Sequence, residues 1–340
     1  MMRLRIRHVT TYDYASPVAA TTQLVRMTPR VDPGQRVLEW NVRLEVLPSP
    51  SRSLHQPPVS DEIWPSRAMS DPPTIPRNHR GMDEPHLGYA SAPDLTANDD
   101  GYGNRTHLVA IVGPHVGTRL VATGVVETSA LHHVFQDRPP SLPTSFWLRP
   151  TPHTRAGPEV AQFVREGVFG SWSMAGPESH EKRLVELMHR VRKRVDFRVG
   201  ATDVLTTADE SLRKGAGVCQ DHAHVMIAVA RSLGIPARYV SGYLWPGHQG
   251  LTQASHAWVD AYVPGLGWLS FDPANACRPT SSYVRVAVGL DYFDAPPVRG
   301  VRRGGPRKEE LGVSVVISPE PRAWGAAAVE GGVVAGPVHH

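Results

Sequence analysis

Two stretches carry the pattern that decides the fold, GVCQDHAHVMIAVARSLGIPARYVSGYL at 217–244 and ASHAWVDAYVPGLGWLSFDPAN at 254–275. In the first, apolar residues recur at helical spacing from Cys219 onward, and Gly234 marks the end of the predicted helix. The pattern then changes to that of strands, predicted at Ala237–Leu244, Ser255–Val263 and Trp268–Asp272. The last two strands flank PGLG at 264–267, which is typical of a hairpin. We therefore predict a helix that begins at a cysteine, followed by three strands.

Two more helices are predicted before the cysteine. Glu178–Val195 presents one apolar face at helical spacing. Thr207 and Glu210 form a capping box that opens a short helix, and Gly215 ends it. The first third of the chain instead alternates apolar and polar residues, which is typical of half-buried strands. Such strands are predicted at 3–7, 40–46, 107–112 and 119–127.

A chain of 340 residues favours two domains. We predict an N-terminal antiparallel β domain over 1–145, with a proline-rich insertion at about 48–98 that contains ten prolines. A second domain of mixed helices and strands follows over 146–300. The remaining residues, 301–340, form a tail rich in glycine, proline and arginine, with room for one strand at Leu311–Ser318. The expected fold class is α+β.

The composition excludes several classes of protein. Lys and Arg total 36 and Asp and Glu total 32, and the resulting net charge of +4 does not indicate a nucleic-acid binder. Only two cysteines occur, Cys219 and Cys277, which excludes a disulfide scaffold and a four-cysteine zinc site. The longest apolar run, Val225–Ala230, is far shorter than the roughly 20 residues that span a bilayer. We expect a cytoplasmic protein that does not bind membranes.

The position of Cys219 favours a reactive thiol. The first N–H groups of a helix are unpaired and its dipole is positive there, and both features favour the thiolate over the thiol. Position alone leaves a nucleophile and an inert thiol equally open. A nucleophilic thiolate needs a base and an orienting group, for which His256 and Asp272 are the candidates. Cys277 has neither a helix start nor a base, and we expect it to be a small buried residue.

The hairpin makes the candidate site testable. A regular connection pairing Val263 with Trp268 would place Asp272 opposite Val259, and His256 would then point to the other face. We therefore predict a connection of odd length, or a bulge, that puts His256 and Asp272 on one face. A regular even-length hairpin would contradict the proposed site.

The two quoted stretches resemble the core of bacterial transglutaminase-like proteins, relatives of papain-type cysteine peptidases. RLRIRHVTTYDYASPVAATTQLVRMTPR at 3–30 is similar to the N-terminal β region of that group, and YVRVAVGLDYFDAPPVRGV at 283–301 to its C-terminal signature. The resemblance implies a papain-like or transglutaminase-like core, with the cysteine-bearing helix packed on an antiparallel sheet. It implies Cys219 as nucleophile, His256 as base and Asp272 as orienting group. It covers roughly residues 3–47, 100–127 and 146–300.

The activity that the resemblance implies is thiol-dependent acyl transfer or hydrolysis at a carboxamide or peptide bond, through a thioester. Water as acceptor gives a cysteine peptidase or amidase, and a lysine amine gives a protein-glutamine gamma-glutamyltransferase that forms cross-links. We favour water, because it needs no second binding site. The alternative from another class is a non-catalytic binding module on the same fold.

Further expectations concern the surroundings of the site. The backbone N–H of Cys219 is one oxyanion donor by position, Gln220 and Tyr243 are candidates for the second, and Trp258 is a candidate for the cleft wall. We expect a peptide or protein substrate, no cofactor and no metal, while the oligomeric state stays open. Members of the resembled family often carry arginine where this chain has Leu290, so the function of that arginine is in doubt here.

Overall fold

The computed structural model describes residues 1–49, 90–91, 95–129, 134–135, 137, 141–167, 177–247, 255–305 and 309–320. Most of the predicted proline-rich insertion and the last 20 residues lie outside this part of the chain. The α-helices are α1 (Pro158–Glu166), α2 (Pro177–Arg194), α3 (Ala208–Lys214) and α4 (Cys219–Ser232). None of these helices is long and apolar enough to cross a membrane.

The strands form two larger antiparallel sheets and one two-stranded parallel sheet. They are β1 (Met2–Val25), β2 (Gln35–Pro48), β3 (Ala90–Ser91), β4 (Ala97–Asp99), β5 (Arg105–Thr128), β6 (Val134–Phe135), β7 (Asp196–Phe197), β8 (Ala216–Gly217), β9 (Ala237–Leu244), β10 (His256–Val263), β11 (Gly267–Phe271), β12 (Tyr283–Gly289), β13 (Val298–Arg303) and β14 (Glu309–Pro319). Together with the helices they give the predicted α+β class.

The N-terminal sheet is built around β1, which pairs with β5 on one edge and with β13 and β14 on the other. The sequence predicts two strands where the structure has the single strand β5. The β1–β5 pairing shifts register between Asp13 and Ala20, near Gly113, whose φ is 111°. A β-bulge lets the strand bend without ending the ladder, so the polar break in the pattern does not end β5.

The chain returns to the N-terminal sheet after the second domain. The sequence predicts one strand in the tail, and β14 confirms it, but β13 precedes it and also pairs with β1. Its sequence VRGVRR carries charged residues on an edge strand, which is how proteins protect sheet edges from further pairing. That composition hides the strand from a search for apolar alternation.

The second sheet has the order β12-β9-β10-β11-β6 and carries the helices. Helix α4 packs on β9 and β10, and α1, α2 and α3 pack around α4. The core between them is formed by buried apolar side chains, including Val225, Ile227, Val229, Val259, Ala261 and Leu269. The predicted bounds of α2, α4 and β9 are confirmed to within one residue, as is the capping box of α3.

The two larger sheets are joined by an apolar cluster and by polar contacts. The cluster is formed by Leu4, Ile6 and Val126 from the first sheet and by Tyr243, Val284 and Val286 from the second. The side-chain amide of Gln35 donates to the Arg285 carbonyl at 2.8 Å and accepts from the Arg285 N–H at 2.7 Å. This pair of bonds ties β2 to β12 in place of a sheet ladder.

Candidate active site

Cys219 is the first residue of α4, as the sequence predicts. Asp221, in the first turn, accepts a hydrogen bond from the Val218 N–H at 2.7 Å and therefore closes the N-terminus of the helix. The same carboxylate also accepts from the hydroxyls of Ser211, at 2.9 Å, and Thr202, at 2.6 Å. Burial raises the pKa of Asp221 despite these bonds. Its role in this structure is to fix the start of the helix.

Two further features shape the backbone around the thiol. The backbone N–H groups of Cys219 and Gln220 form no hydrogen bond with any residue that the structure describes. Gly217 lies two residues before the thiol, and a Cβ there would come within 2.5 Å of the Asp221 Cβ. Only glycine fits that position, because the backbone must approach the capping carboxylate closely. The free N–H groups can therefore point at a ligand beside the thiol.

The hairpin has the odd-length connection that the site requires. Val263 pairs with Gly267, so three residues, 264–266, connect β10 and β11. This register places Asp272 on the same face as His256, which confirms the prediction about parity. The His256 Nε2 lies 2.6 Å from the Asp272 Oδ2.

Asp272 is fully buried and accepts five hydrogen bonds. Its Oδ2 accepts from the His256 ring, from the Tyr283 hydroxyl at 2.7 Å and from the Asn275 amide at 2.7 Å. Its Oδ1 accepts from the backbone N–H groups of Ala274 and Asn275, at 3.0 and 3.1 Å. Burial alone would raise the pKa of Asp272, but the hydrogen bonds and the His256 charge lower it below its ordinary value. The carboxylate is thus held ionised in a buried place.

His256 connects this carboxylate to the thiol. The Nε2 of the ring is bound to Asp272, and the ring also interacts with Cys219. Burial lowers the pKa of His256, but hydrogen bonds to Asp272 and Cys219 and the charges of both raise it to about 10. The ring is 12% exposed at its side chain, so a substrate can reach it. A protonated imidazole beside the Asp272 carboxylate is the form that these pKa shifts favour.

Comparison with known proteins identifies the family of this chain. A model of the transglutaminase-like superfamily matches residues 171–273, and a model of the bacterial transglutaminase-like N-terminal region matches residues 4–57. An uncharacterised protein of Mycobacterium tuberculosis is 32% identical over 256 residues, which is 66% of this chain and 78% of that protein. The chain belongs to the bacterial transglutaminase-like family. Its members form a group of thiol-dependent acyltransferases and hydrolases.

Other relatives extend the comparison for this transglutaminase-like protein. An uncharacterised protein of Mycobacterium leprae is 29% identical and covers 89% of this chain and 94% of its own length. A Pseudomonas aeruginosa protein named protein-glutamine gamma-glutamyltransferase is 40% identical over 83 residues, 22% of this chain and 12% of its own. The solved structure of a "putative cysteine protease" from Cytophaga hutchinsonii has a TM-score of 0.61 at 18% identity, covering 95% of this chain and 92% of that one. That likeness shows the shared fold.

The remaining predicted site residues of this family member have mixed outcomes. The side-chain amide of Gln220 donates to the Val204 carbonyl at 3.2 Å, so it is turned to the preceding loop. The Tyr243 hydroxyl lies 2.9 Å from the His8 ring, within the cluster that joins the two sheets. The structure thus gives Tyr243 an interdomain role instead of one beside the thiol. Tyr243 is therefore not the expected oxyanion donor, because β9 faces the N-terminal sheet at that position.

Trp258 is a core residue that supports the histidine. Its ring is buried and stacks on His256 with the centroids 6.2 Å apart. Behind it on the same strand, Asp260 binds the guanidinium groups of Arg238 and Arg285. This buried charge cluster lies next to the tryptophan, with Arg285 over its ring. The face of β10 that presents His256 is therefore rigidly packed.

Sequence reasoning missed two residues of the transglutaminase-like site. Asn275 and Tyr283 both donate to Asp272, as described above. Asn275 follows the aspartate by three residues in a turn, a spacing typical of aspartate turns, and this signal could have identified it. No local signal marks Tyr283, which reaches Asp272 from β12, a strand separated from β11 by β9 and β10 in the sheet.

The second cysteine, Cys277, is less buried than the sequence predicts. Cys277 is half-buried, with its Sγ 3.4 Å from the Tyr283 hydroxyl, and its backbone N–H and carbonyl bridge Asp272. Burial raises the pKa of the Cys277 thiol.

Leu290 packs in the tryptophan-rich core, and its carbonyl accepts from Arg231 at 2.8 Å. In the described part of the chain, no group of three or more His, Cys, Asp or Glu side chains could hold a metal ion.

Proposed function

We propose that this protein is a cysteine hydrolase that cleaves carboxamide or peptide bonds through a thioester. Cys219 is the nucleophile, His256 the general base and acid, and Asp272 the group that orients and charges the histidine. The observation that carries the proposal is the 2.6 Å bond from His256 to the buried Asp272, in a ring that also interacts with Cys219 at a helix N-terminus. The membership of a thiol-dependent family supports it.

The chemistry proceeds in two steps. The Cys219 sulfur attacks the carbonyl carbon, a C–S bond forms, and the carbonyl electron pair moves onto oxygen. The free N–H groups of Cys219 and Gln220 are placed to bind that oxyanion. The C–N bond then breaks, and the amine leaves with the proton from His256. In the second step His256 takes a proton from water, which attacks the thioester, and the thiolate returns as the acid is released.

A second candidate function differs only in the acceptor. If a lysine amine attacks the thioester, the product is an isopeptide cross-link, which is the reaction of a protein-glutamine gamma-glutamyltransferase. This alternative is favoured by the Pseudomonas aeruginosa protein of that name, which is 40% identical to this chain over 83 residues. Water remains the first choice because it needs no second binding site.

The test is to weigh the products of a glutamine-containing peptide incubated with the protein, with and without a primary amine. Cleavage supports a peptidase, conversion of the amide to the acid supports an amidase, and incorporation of the amine supports cross-linking. Cys219→Ala should abolish the activity, and Cys277→Ala, which removes the other thiol, should keep it. If Cys219→Ala retains the activity, the nucleophile assignment is wrong.

A further inference from the structure

We propose that the segment 196–205 forms a binding site for apolar side chains of an extended peptide substrate. This inference rests on the proposed function, because it names the class of substrate that the thiol would receive. The segment follows α2 and runs past the N-terminus of α4. Its apolar side chains Phe197, Val199 and Leu205 define what we call the apolar rim.

The apolar rim is unusual for its exposure. Phe197, Val199 and Leu205 are 48%, 70% and 49% exposed. They are the only exposed large apolar side chains among the described residues between 141 and 297. Apolar side chains left in water are a common feature of binding sites, because burying them against a ligand is favourable. Elsewhere in the described part of the second domain such residues are covered, so the exposed ones all belong to this one segment.

That segment lies beside the thiol. The N–H of Arg198 donates to the Gly217 carbonyl at 2.9 Å, so the segment pairs with the strand that leads into Cys219. The Val204 carbonyl accepts from Gln220, the residue after the thiol. The hydroxyl of Thr202 binds Asp221, which closes the helix. The segment is therefore attached on both sides of Cys219.

The backbone of the segment indicates a peptide as the occupant. The N–H of Asp196 donates to the Gly215 carbonyl just before β8, and the N–H of Arg198 donates to Gly217 within β8. Successive residues of a strand point these groups to opposite sides. The N–H and carbonyl of Phe197 therefore face away from β8, and no described residue binds them. An open strand edge next to exposed apolar side chains suits an extended peptide, which can supply both backbone partners and a side chain. A purely apolar ligand would leave that edge unused.

The charges nearby do not oppose this occupant. Asp196 and Arg198 flank Phe197, and their side chains lie 3.8 Å apart as an exposed ion pair. They cancel each other at the edge, so no single sign of charge is selected. The expected substrate is a peptide with leucine, phenylalanine or similar residues beside the reactive carbonyl.

The test measures binding with the nucleophile removed, so that turnover does not interfere. Two fluorescein-labelled heptapeptides carry a central glutamine flanked by leucine and phenylalanine in one and by serine and asparagine in the other. We expect the Cys219→Ala chain to bind the apolar peptide at least about tenfold more tightly, by fluorescence anisotropy. Adding Phe197→Ser, Val199→Ser and Leu205→Ser should remove that preference.

The controls separate the site from general effects. The Cys219→Ala chain with Val301→Ser and Val313→Ser, two similarly exposed residues of the N-terminal sheet, should keep the preference. Phe197 lies near the buried His222, so thermal unfolding must show that the triple variant folds. Val199→Ser alone, at the most exposed position, should reduce the preference about threefold if the triple variant does not fold.

Each result bears on one proposal. Equal binding of the two peptides, or a folded rim variant that keeps the preference, overturns the apolar rim. Loss of the preference in the Val301 and Val313 control overturns it as well. Turnover by the unmodified chain is measured in parallel. If neither peptide nor any other amide is turned over, the proposed function fails, while the binding result still decides the apolar rim.

Discussion

Replacing Asp272 by asparagine should lower the pKa of His256. The change keeps the shape of the side chain but removes the negative charge that faces His256 at 2.6 Å. Without that charge the imidazolium is less stable, so the ring releases its proton at a lower pH.

The size of the effect follows from the hydrogen bond. A hydrogen bond to a charged group is worth about 1.5–3 kcal/mol, and each pKa unit corresponds to about 1.4 kcal/mol. The substitution should therefore lower the pKa of His256 by about one to two units from its value of about 10.

The assay is an NMR titration that follows the ring resonances of His256 with pH in the unmodified chain and in the variant. A His256→Asn chain assigns those resonances among the 17 histidines. Asp272 accepts five hydrogen bonds, and an amide cannot accept them all, so thermal unfolding must confirm that the variant is folded. A folded Asp272→Asn protein in which the pKa of His256 is unchanged would refute the reasoning.

Other predictions concern stability. Asp221→Ala removes the acceptor of three donors at the start of α4 and should lower the free energy of unfolding in urea by about 3 kcal/mol; an unchanged midpoint would contradict the capping role. Asp260→Asn leaves two buried guanidinium groups without their shared carboxylate and should cost about 3 kcal/mol, measured in the same way. Gly215→Ala forces a side chain onto a residue with φ of 64°, which should lower the melting temperature by an amount equivalent to about 1 kcal/mol. Burial lowers the pKa of His8 to about 4 and that of His224 to about 3, each from 6.5. The unfolded chain therefore takes up protons first, and the free energy of unfolding falls as the pH drops below 6.5. His8→Asn should remove about 3 kcal/mol of that fall by pH 4, measured by urea titration.

The sequence by itself determined the local parts of the site. The glycines before Cys219 and the helical spacing after it predict where α4 begins, because both depend on neighbouring residues. The parity of the hairpin could be worked out from strand geometry once His256 and Asp272 were taken as partners. The resemblance to the family then implied their roles and the core around them.

Only the tertiary structure decided which distant groups complete the arrangement. Tyr283 reaches Asp272 from another strand, Tyr243 turns to His8 in the N-terminal sheet, and β13 returns to β1 across the whole chain. Such contacts depend on how the sheets pack, and residues far apart in sequence leave no periodic signal of their meeting. The exposure of the apolar rim also belongs to this level, since valine or phenylalanine has the same local pattern whether a neighbour covers it or water does.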